Sequence, residues 1–326
     1  MIRIIDNTLM APYDYLDCSK DLYRFCELLF TIGVDAIELP IKIVHRMDSL
    51  PSGNYILNVS SEEEAEEHPG FYRYISNHDV RMEPSVLDLQ VNDIREIIHL
   101  KNYQHKKEVR IVGLDDLLCH SYEKIMKEIT KCLPNTSIIF CPENTYACAS
   151  ALALHWLMEY RGSATTSFAG CKNNAATEEV IMALRLSVRH KPNRDLTVLP
   201  ELTGIFERFS GKRIGNRKAI IGKNIFKVEA GIHVDGLHKN PVTYEAYSPI
   251  SVGGKSELVI GKHSGSRAIK LKLEQLGLPI PPDEILECLL DSVKFVCSLN
   301  HKSLNDEEFI KLLREVIRGE RSKIYC

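Results

Sequence analysis

The chain has 326 residues, of which 44% are apolar and 26% charged, and its formal net charge is −3. This length suits two domains or one large domain with an appendage, and the apolar fraction allows a sizeable core. The small net charge and the short basic clusters give no indication of a nucleic-acid partner. No apolar run reaches the ~20 residues of a membrane span, so we expect no membrane partner either.

The N-terminus and the cysteines favour the cytoplasm. Met1 leads directly into an apolar run at residues 2–5, which predicts a strand and not a secretory signal. The ten cysteines are scattered, without a C-x-x-C pair. That usage is typical of reduced thiols and not of a disulfide framework, so we predict a cytoplasmic protein.

The first 190 residues alternate short β-branched runs with amphipathic stretches. The predicted strands are 2–5, 35–39, 55–60, 81–86, 109–114, 137–140 and 163–168. The predicted helices are 18–31, 62–75, 91–100, 122–132, 147–160 and 177–188. This order is typical of a parallel sheet with right-handed crossovers.

The pattern changes after residue 192. Pro192 and Asn193 interrupt it, and residues 283–317 predict two helices. We therefore divide the chain into a barrel-like domain at 1–192 and a linker with a small α-rich part at 193–326. Only seven strands precede residue 168, one fewer than a (β/α)8 barrel requires.

Five blocks of the sequence share one resemblance. They are 33–39 (GVDAIEL), 174–180 (NAATEEV), 226–236 (FKVEAGIHVDG), 240–245 (NPVTYE) and 260–265 (IGKHSG). In this order they resemble the homocitrate synthase, isopropylmalate synthase and citramalate synthase family, with the nitrogen-fixation type of homocitrate synthase nearest in wording. The resemblance implies a TIM-barrel (β/α)8 domain followed by C-terminal lid or dimerisation subdomains.

The family's chemistry follows as an expectation. It condenses acetyl-CoA with a 2-oxo acid and then hydrolyses the thioester. A divalent metal in the barrel stabilises the alkoxide that forms, and an arginine adds positive charge. A His and a Tyr of the C-terminal part assist the proton transfers, typically in the barrel of a neighbouring protomer. If the product is homocitrate, its expected destination is the nitrogenase cofactor.

The barrel motifs depart from the family pattern. The arginine and the metal carboxylate after the first strand are replaced by Met10 and Ala11. The fifth-strand Glu-Asp and its following Arg correspond to Asp115-Asp116 and Cys119, and the His-x-His ligands correspond to Cys141 and Glu143. Asn174 keeps the family's asparagine ligand. The stretch from Asp116 to Cys141 is short, which predicts that one βα unit is missing there.

The post-barrel motifs are kept, except that Val228 replaces a common His. By resemblance, the catalytic positions are His233, Tyr244 and Glu229. The substrate-binding positions are Glu38, Asp115, His263 and Ser264, and a weak, degenerate metal site comprises Asn174, Glu143 and Cys141. Alternatives remain for several of these positions. Cys141 and Glu143 are also explained by drift after loss of function, and His233 and Tyr244 by a role in folding or interface packing. Glu229 is also explained as a structural hydrogen-bonding residue, and Ser264 as the N-cap of a helix beginning near Ser266.

Three hypotheses remain. The preferred one is a homocitrate synthase subunit that supplies His233 and Tyr244 to the metal site of an intact homologous partner, with acetyl-CoA and a 2-oxo acid as substrates. A homodimer of this chain is the alternative assembly. The second is a non-catalytic structural or regulatory subunit. The third is an enzyme active alone, with a site rebuilt around Asp115, Glu143 and Asn174, which includes a divergent 2-isopropylmalate or citramalate-type synthase. No cofactor is predicted to bind this chain itself.

Overall fold

The computed structural model describes residues 1–13, 18–114, 116–229, 236, 240 and 245–319. The chain divides into two compact units, Met1–Gly222 and Lys223–Cys326. The predicted boundary at residue 192 therefore falls within the first unit. Residues 193–222, which follow that boundary within the first unit, contain a helix that packs on an N-terminal helix of the barrel.

The first unit is a closed barrel of eight parallel strands in sequential order. The strands are β1 Arg3–Asp6, β2 Ala36–Pro40, β3 Tyr55–Asn58, β4 Arg73–Ser76, β5 Ser85–Val91, β6 Glu108–Gly113, β7 Ser137–Pro142 and β8 Ser163–Thr166. Pairing of β1 with β8, in which Ile5 lies opposite Thr165, closes the barrel. The TIM-barrel fold predicted from the sequence is confirmed.

Seven α-helices surround these strands in the described part of the unit. They are α1 Ser19–Ile32, α2 Ile41–Val44, α3 Glu62–Glu67, α4 Tyr122–Cys132, α5 Ala149–Tyr160, α6 Thr177–Val188 and α7 Leu199–Ser210. Helix α7 packs on α1, where Arg24 pairs with Glu201 and Arg208 with Asp21. None of the helices that the structure describes is both long and apolar enough to cross a membrane.

The prediction of seven strands was wrong, because β4 lay inside the helix predicted at 62–75. Helix α3 ends at Glu67 and is followed by His68, Pro69 and Gly70, the last with φ of +95°. A proline cannot continue the helix, and glycine readily adopts this positive φ. The aromatic run that follows then forms a strand.

No βα unit is missing between Asp116 and Cys141, because that stretch forms α4 and β7 as a regular unit. The shortened connection lies instead between β4 and β5, where residues 77–84 form no helix. Val80 and Met82 of this connection pack on Leu57 and Tyr74 in place of a helix. The barrel therefore has all eight strands, but the connection between β4 and β5 has no helix.

The lower barrel interior is apolar. Its layer consists of Ile5, Ala36, Ile56, Ile75, Val86 and Ile139, all nearly inaccessible to solvent. Strand side chains alternate in direction, so residues two positions further along β2, β5 and β7 point into the same interior, nearer the C-terminal end. Those residues are Glu38, Asp88 and Cys141.

In its described residues, the second unit contains a two-stranded parallel sheet, β9 Lys227–Val228 with β10 Glu257–Leu258, and three α-helices of ten residues or more. The helices are α8 Ser266–Gln275, α9 Asp283–Asn300 and α10 Asp306–Ile317. The two helices predicted at 283–317 are α9 and α10. Their apolar faces enclose a separate core around Ile260, Leu289 and Phe309. Asn305 and Glu308 form a reciprocal capping box that fixes the start of α10.

Candidate functional site

The C-terminal ends of the strands are where (β/α)8 enzymes carry their active sites. At the end of β1, Asp6 is buried and accepts hydrogen bonds from the Thr8 backbone nitrogen, at 2.9 Å, and from the Thr177 hydroxyl. Burial raises the pKa of Asp6 to about 6. Met10 ends the short 3-10 helix that follows, and Ala11 is buried. This corner therefore offers no arginine, and its carboxylate is engaged in the barrel.

The three weak metal candidates do meet at the ends of β7 and β8. The Asn174 side-chain amide donates to the Cys141 sulfur at 2.9 Å, and the backbones of Glu143 and Asn174 form a β-bridge. Cys141 is buried, and burial raises the pKa of its thiol to about 12. The buried sulfur is thus engaged with the Asn174 amide inside the barrel.

These residues do not fit the divalent cation that the family implies. Ala11 has no donor atom, and the sulfur of Cys141 is a soft ligand, whereas a hard cation takes oxygen ligands. Within the described ranges, no three His, Cys, Asp or Glu side chains are grouped so that they could hold a metal ion. We therefore derive no metal-dependent step for this barrel.

A buried ion-pair network, which we call the interior triad, occupies the barrel beside Cys141. It consists of Arg110 on β6, Glu38 on β2 and Asp88 on β5. The guanidinium of Arg110 donates to Asp88 at 2.9 and 2.6 Å and also pairs with Glu38. Strands β2 and β6 are not neighbours in the sheet, so the Arg110–Glu38 contact crosses the barrel interior. The side chains of Glu38 and Arg110 are 1% and 7% exposed.

Both carboxylate oxygens of Glu38 have partners within the barrel. One carboxylate oxygen is paired with Arg110, and the other accepts from the Asn58 amide at 3.1 Å. The two carboxylates raise the pKa of Arg110 further despite its burial. Substrate binding by Glu38, which the sequence predicts, would have to compete with these partners.

Arg110 and Asp88 were not selected by the sequence analysis. Asp88 is the one charged residue of β5 (SVLDLQV), and Arg110 lies between Val109 and Ile111 in β6 (EVRIVG). A charge between apolar residues of a buried strand indicates an internal partner. The sequence gives no indication of which partner, because Arg110 lies 72 residues from Glu38.

Asp115 lies outside the described residues. Its neighbour Asp116 follows β6 and not the fifth strand, since β4 adds a strand upstream of the predicted count. Asp116 lies 3.2 Å from the His120 ring, one of its carboxylate oxygens is buried without a partner, and Cys119 is exposed. Neither Cys119 nor His120 replaces the arginine that the family carries here.

In the second unit, Glu229 holds the loop at residues 261–264. Its carboxylate accepts from the His263 backbone nitrogen at 2.7 Å, and its carbonyl accepts from the Ser264 hydroxyl at 2.9 Å. A Cβ on Gly261 would lie 2.3 Å from the Glu229 carboxylate, so only glycine admits this contact. Glu229 is thus engaged in structure, in agreement with its alternative interpretation.

Ser264 is not the N-cap of α8. The N-cap is Gly265, and the buried Ser264 hydroxyl instead accepts from the Gly261 backbone nitrogen at 3.0 Å. His263 is exposed to solvent. Gly231, His233 and Tyr244 lie outside the described residues, so their catalytic role stays a prediction.

Comparison with known proteins agrees with the division of the chain into two units. The family model described as homocitrate synthase post-HMGL domain-like matches residues 220–299, and the second unit begins at Lys223. The barrel is similar in fold to hydroxymethylglutaryl-CoA lyases of Bacillus subtilis and Pseudomonas aeruginosa. Both give a TM-score of 0.50, at 14% and 16% identity, and cover 66% and 67% of this chain and 94% and 95% of theirs.

Full-length similarity extends to the homocitrate synthase omega subunit of Clostridium pasteurianum, at 26% identity over 96% of this chain and 95% of the relative. The (R)-citramalate synthase of Methanocaldococcus jannaschii is 29% identical over 90% of this chain and 62% of its own length. A homocitrate synthase of Nostoc is 36% identical over 53% of this chain and 46% of its own length. Apart from the omega subunit, the chain thus matches less than two thirds of each of these relatives.

The chain thus has a closed parallel barrel followed by a region that matches a post-barrel family model. It is similar to proteins of the homocitrate synthase and isopropylmalate synthase family.

Proposed function

We propose that this chain is a subunit of a two-component homocitrate synthase, and that it contributes its post-barrel unit to the metal barrel of a homologous partner. One observation carries the proposal: the barrel positions that would hold the metal are occupied by residues engaged in the fold, while the post-barrel family pattern persists. Drift without function would erode both regions alike.

The interior triad supports the barrel half of this proposal. In an active barrel, charged interior groups must remain available to substrate and metal. Here one guanidinium and two carboxylates satisfy each other inside the barrel. The chain's barrel therefore serves as a scaffold, and turnover by this chain alone is not expected.

The post-barrel half rests on the profile match at 220–299 and on the motif carrying His233 and Tyr244. In the partner's barrel, these two residues would assist the transfer of a proton from the acetyl methyl group and of a proton to the new alkoxide. Glu229 and Ser264 fix the chain directly before this motif, so we assign them a positioning role.

The similarity to the omega subunit of Clostridium pasteurianum favours a hetero-oligomer over a homodimer, because that relative's name denotes one subunit of a homocitrate synthase. We propose 2-oxoglutarate as the 2-oxo acid on the same basis. We also propose a cytoplasmic location, since all nine cysteines in the described residues are free thiols.

Reconstitution tests the proposal. The chain, a homologous partner with intact metal-binding motifs, and their mixture are each assayed for CoA release from acetyl-CoA and 2-oxoglutarate with added divalent metal. We expect no release by this chain and release by the mixture that exceeds that of the partner alone. Release by this chain alone would contradict the proposal and support a rebuilt site. A mixture no more active than the partner would contradict it too.

A further inference from the structure

The opposite, N-terminal end of the barrel contains a cavity of about 310 Å³. Its floor is apolar, formed by Ile5, Ile56 and Ile139 of the lower interior layer. Its polar lining comes from the first residues of the strands and from the loops before them: Arg3, Asp35, Asn54, Tyr72, Arg73, Glu108 and Ser163. The volume lies in the range of small-molecule pockets, and convergent polar groups over an apolar floor are typical of such sites.

Two guanidinium groups share one carboxylate at this cavity. Arg73 donates to Glu108 at 2.6 Å, whereas the nearest nitrogen of Arg3 is 3.8 Å from the other oxygen of Glu108. Ser137 already donates to that second oxygen at 3.2 Å. Arg3 makes its short hydrogen bond to the neutral Tyr72 hydroxyl, at 3.0 Å. Glu108 is therefore the counter-ion of two guanidinium groups, which leaves one positive charge in excess.

The other acid in the lining does not offset this surplus. The Asp35 carboxylate accepts from Lys191 at 2.6 Å and from the Ile4 backbone nitrogen at 2.8 Å. Lys191 thus neutralises Asp35 within the fold. The cavity is left with positive charge on one wall and hydrocarbon on its floor.

We propose that this cavity binds a small aliphatic carboxylate, whose carboxylate pairs with Arg3 and Arg73 and whose carbon chain rests on the three isoleucines. Planar guanidinium groups match the carboxylate geometry, and a partly buried site strengthens the pairing. Inorganic phosphate offers the same charge without the apolar part, so it distinguishes this ligand class from a general anion site. The site is separate from the C-terminal face at which the family's chemistry takes place.

Calorimetric titration of the purified full-length chain with succinate, 2-oxoglutarate, citrate and inorganic phosphate tests the proposal. We expect saturable binding of at least one carboxylate and clearly weaker binding of phosphate. Arg3→Gln, which keeps the size and polarity of the side chain but removes its charge, should weaken carboxylate binding about tenfold or more. Arg95→Gln is the matched control, because Arg95 is exposed and does not line the cavity.

A second variant keeps the test decisive. Ile56→Asn in the floor should weaken the carboxylates while leaving phosphate unaffected, and circular dichroism checks that both variants are folded. If Ile56→Asn does not fold, Ile56→Val takes its place, with a smaller loss expected. The proposal fails if no carboxylate binds, if phosphate binds equally well, or if Arg3→Gln binds like the wild type. These outcomes do not depend on whether the chain forms part of a homocitrate synthase.

Discussion

The barrel and the post-barrel unit of this chain differ in what their family motifs now do. At the barrel's C-terminal end, Met10, Ala11 and Cys141 stand where the family has an arginine and metal ligands, and the interior triad engages Glu38 in the fold. In the second unit, Glu229, Gly261 and Ser264 form a mutually fitted loop, and the profile match covers 220–299. The proposed function rests on this difference, with the barrel retained for folding and the second unit for a function shared with a partner.

The largest expected effect concerns the triad. Arg110→Met would leave the carboxylates of Glu38 and Asp88 without their cation, and breaking a buried pair in this way costs roughly 3–5 kcal/mol. Denaturant unfolding monitored by circular dichroism measures this loss. Combining Arg110→Met with Glu38→Gln and Asp88→Asn should restore most of the stability, because no unpaired charge remains buried.

Arg95→Met is the control for that substitution, since Arg95 and Asp93 form a solvent-exposed pair. It should leave unfolding unchanged. If Arg110→Met were equally harmless, the triad would not hold the barrel together, and Glu38 would be available to a ligand after all.

Glu178 provides a pH-dependent test of the barrel as a scaffold. Burial raises its pKa from 4.5 to about 7, while Lys218 acts in the opposite direction. The folded chain thus binds this proton more tightly than the unfolded chain. The resulting stabilisation is fully present below pH 4.5 and is lost as the pH rises through 7, by roughly 3 kcal/mol.

Unfolding free energies measured from pH 4 to pH 8 check this sign. Glu178→Gln should flatten the decline relative to the wild type. Lys218→Met should extend the decline to higher pH and deepen it, because the nearby cation no longer favours the carboxylate in the folded chain. Stability that increased with pH over this interval because of Glu178 would be inconsistent with a buried, protonated side chain.

Glu229 tests the other side of the comparison. Glu229→Ala should cost about 1 kcal/mol by removing the acceptor for the His263 backbone nitrogen, and should lower CoA release by the mixture a few-fold. Glu229→Gln keeps an acceptor oxygen and should remain near the wild type in both measurements. If Glu229→Gln were as inactive as Glu229→Ala, the negative charge itself would be required, and Glu229 would be catalytic as the sequence predicts.

The smallest expected effect is that of added metal ions on the thermal stability of the chain. Because the barrel residues do not fit a divalent cation, neither added manganese or magnesium nor a chelator should shift the melting temperature of this chain. A ligand at 100 times its Kd would stabilise the chain by about 2.7 kcal/mol, which differential scanning fluorimetry detects. A stabilising shift that Cys141→Ser abolishes would restore the degenerate site as a metal site.

Local sequence signals predicted much of the fold. Helix α6 has the predicted bounds, because Glu178 and Glu179 stand in its first turn and apolar residues follow that form its buried face. Strand β4 was missed because the acidic run in α3 favoured one long helix, although Pro69 and Gly70 mark its end. Such stop signals outweigh helix propensity when both occur within a few residues.

The candidate site was less predictable. Motif positions identified what the barrel lacks, because Met10 and Ala11 adjoin the recognisable Asp6–Leu9 block. They did not identify the ion pairs of the interior triad, because Arg110, Asp88 and Glu38 come from three separate strands and meet only when the barrel closes. Long-range ion pairs of this kind have no local sequence signal beyond a lone charge in an apolar strand.

The most direct test of the central claim compares two variants in the reconstituted mixture. His233→Ala should lower CoA release about 100-fold, as expected for the loss of a proton-transferring group, while Cys141→Ser in this chain's own barrel should leave CoA release unchanged. Unchanged turnover with His233→Ala, or a comparable loss with Cys141→Ser, would contradict the account.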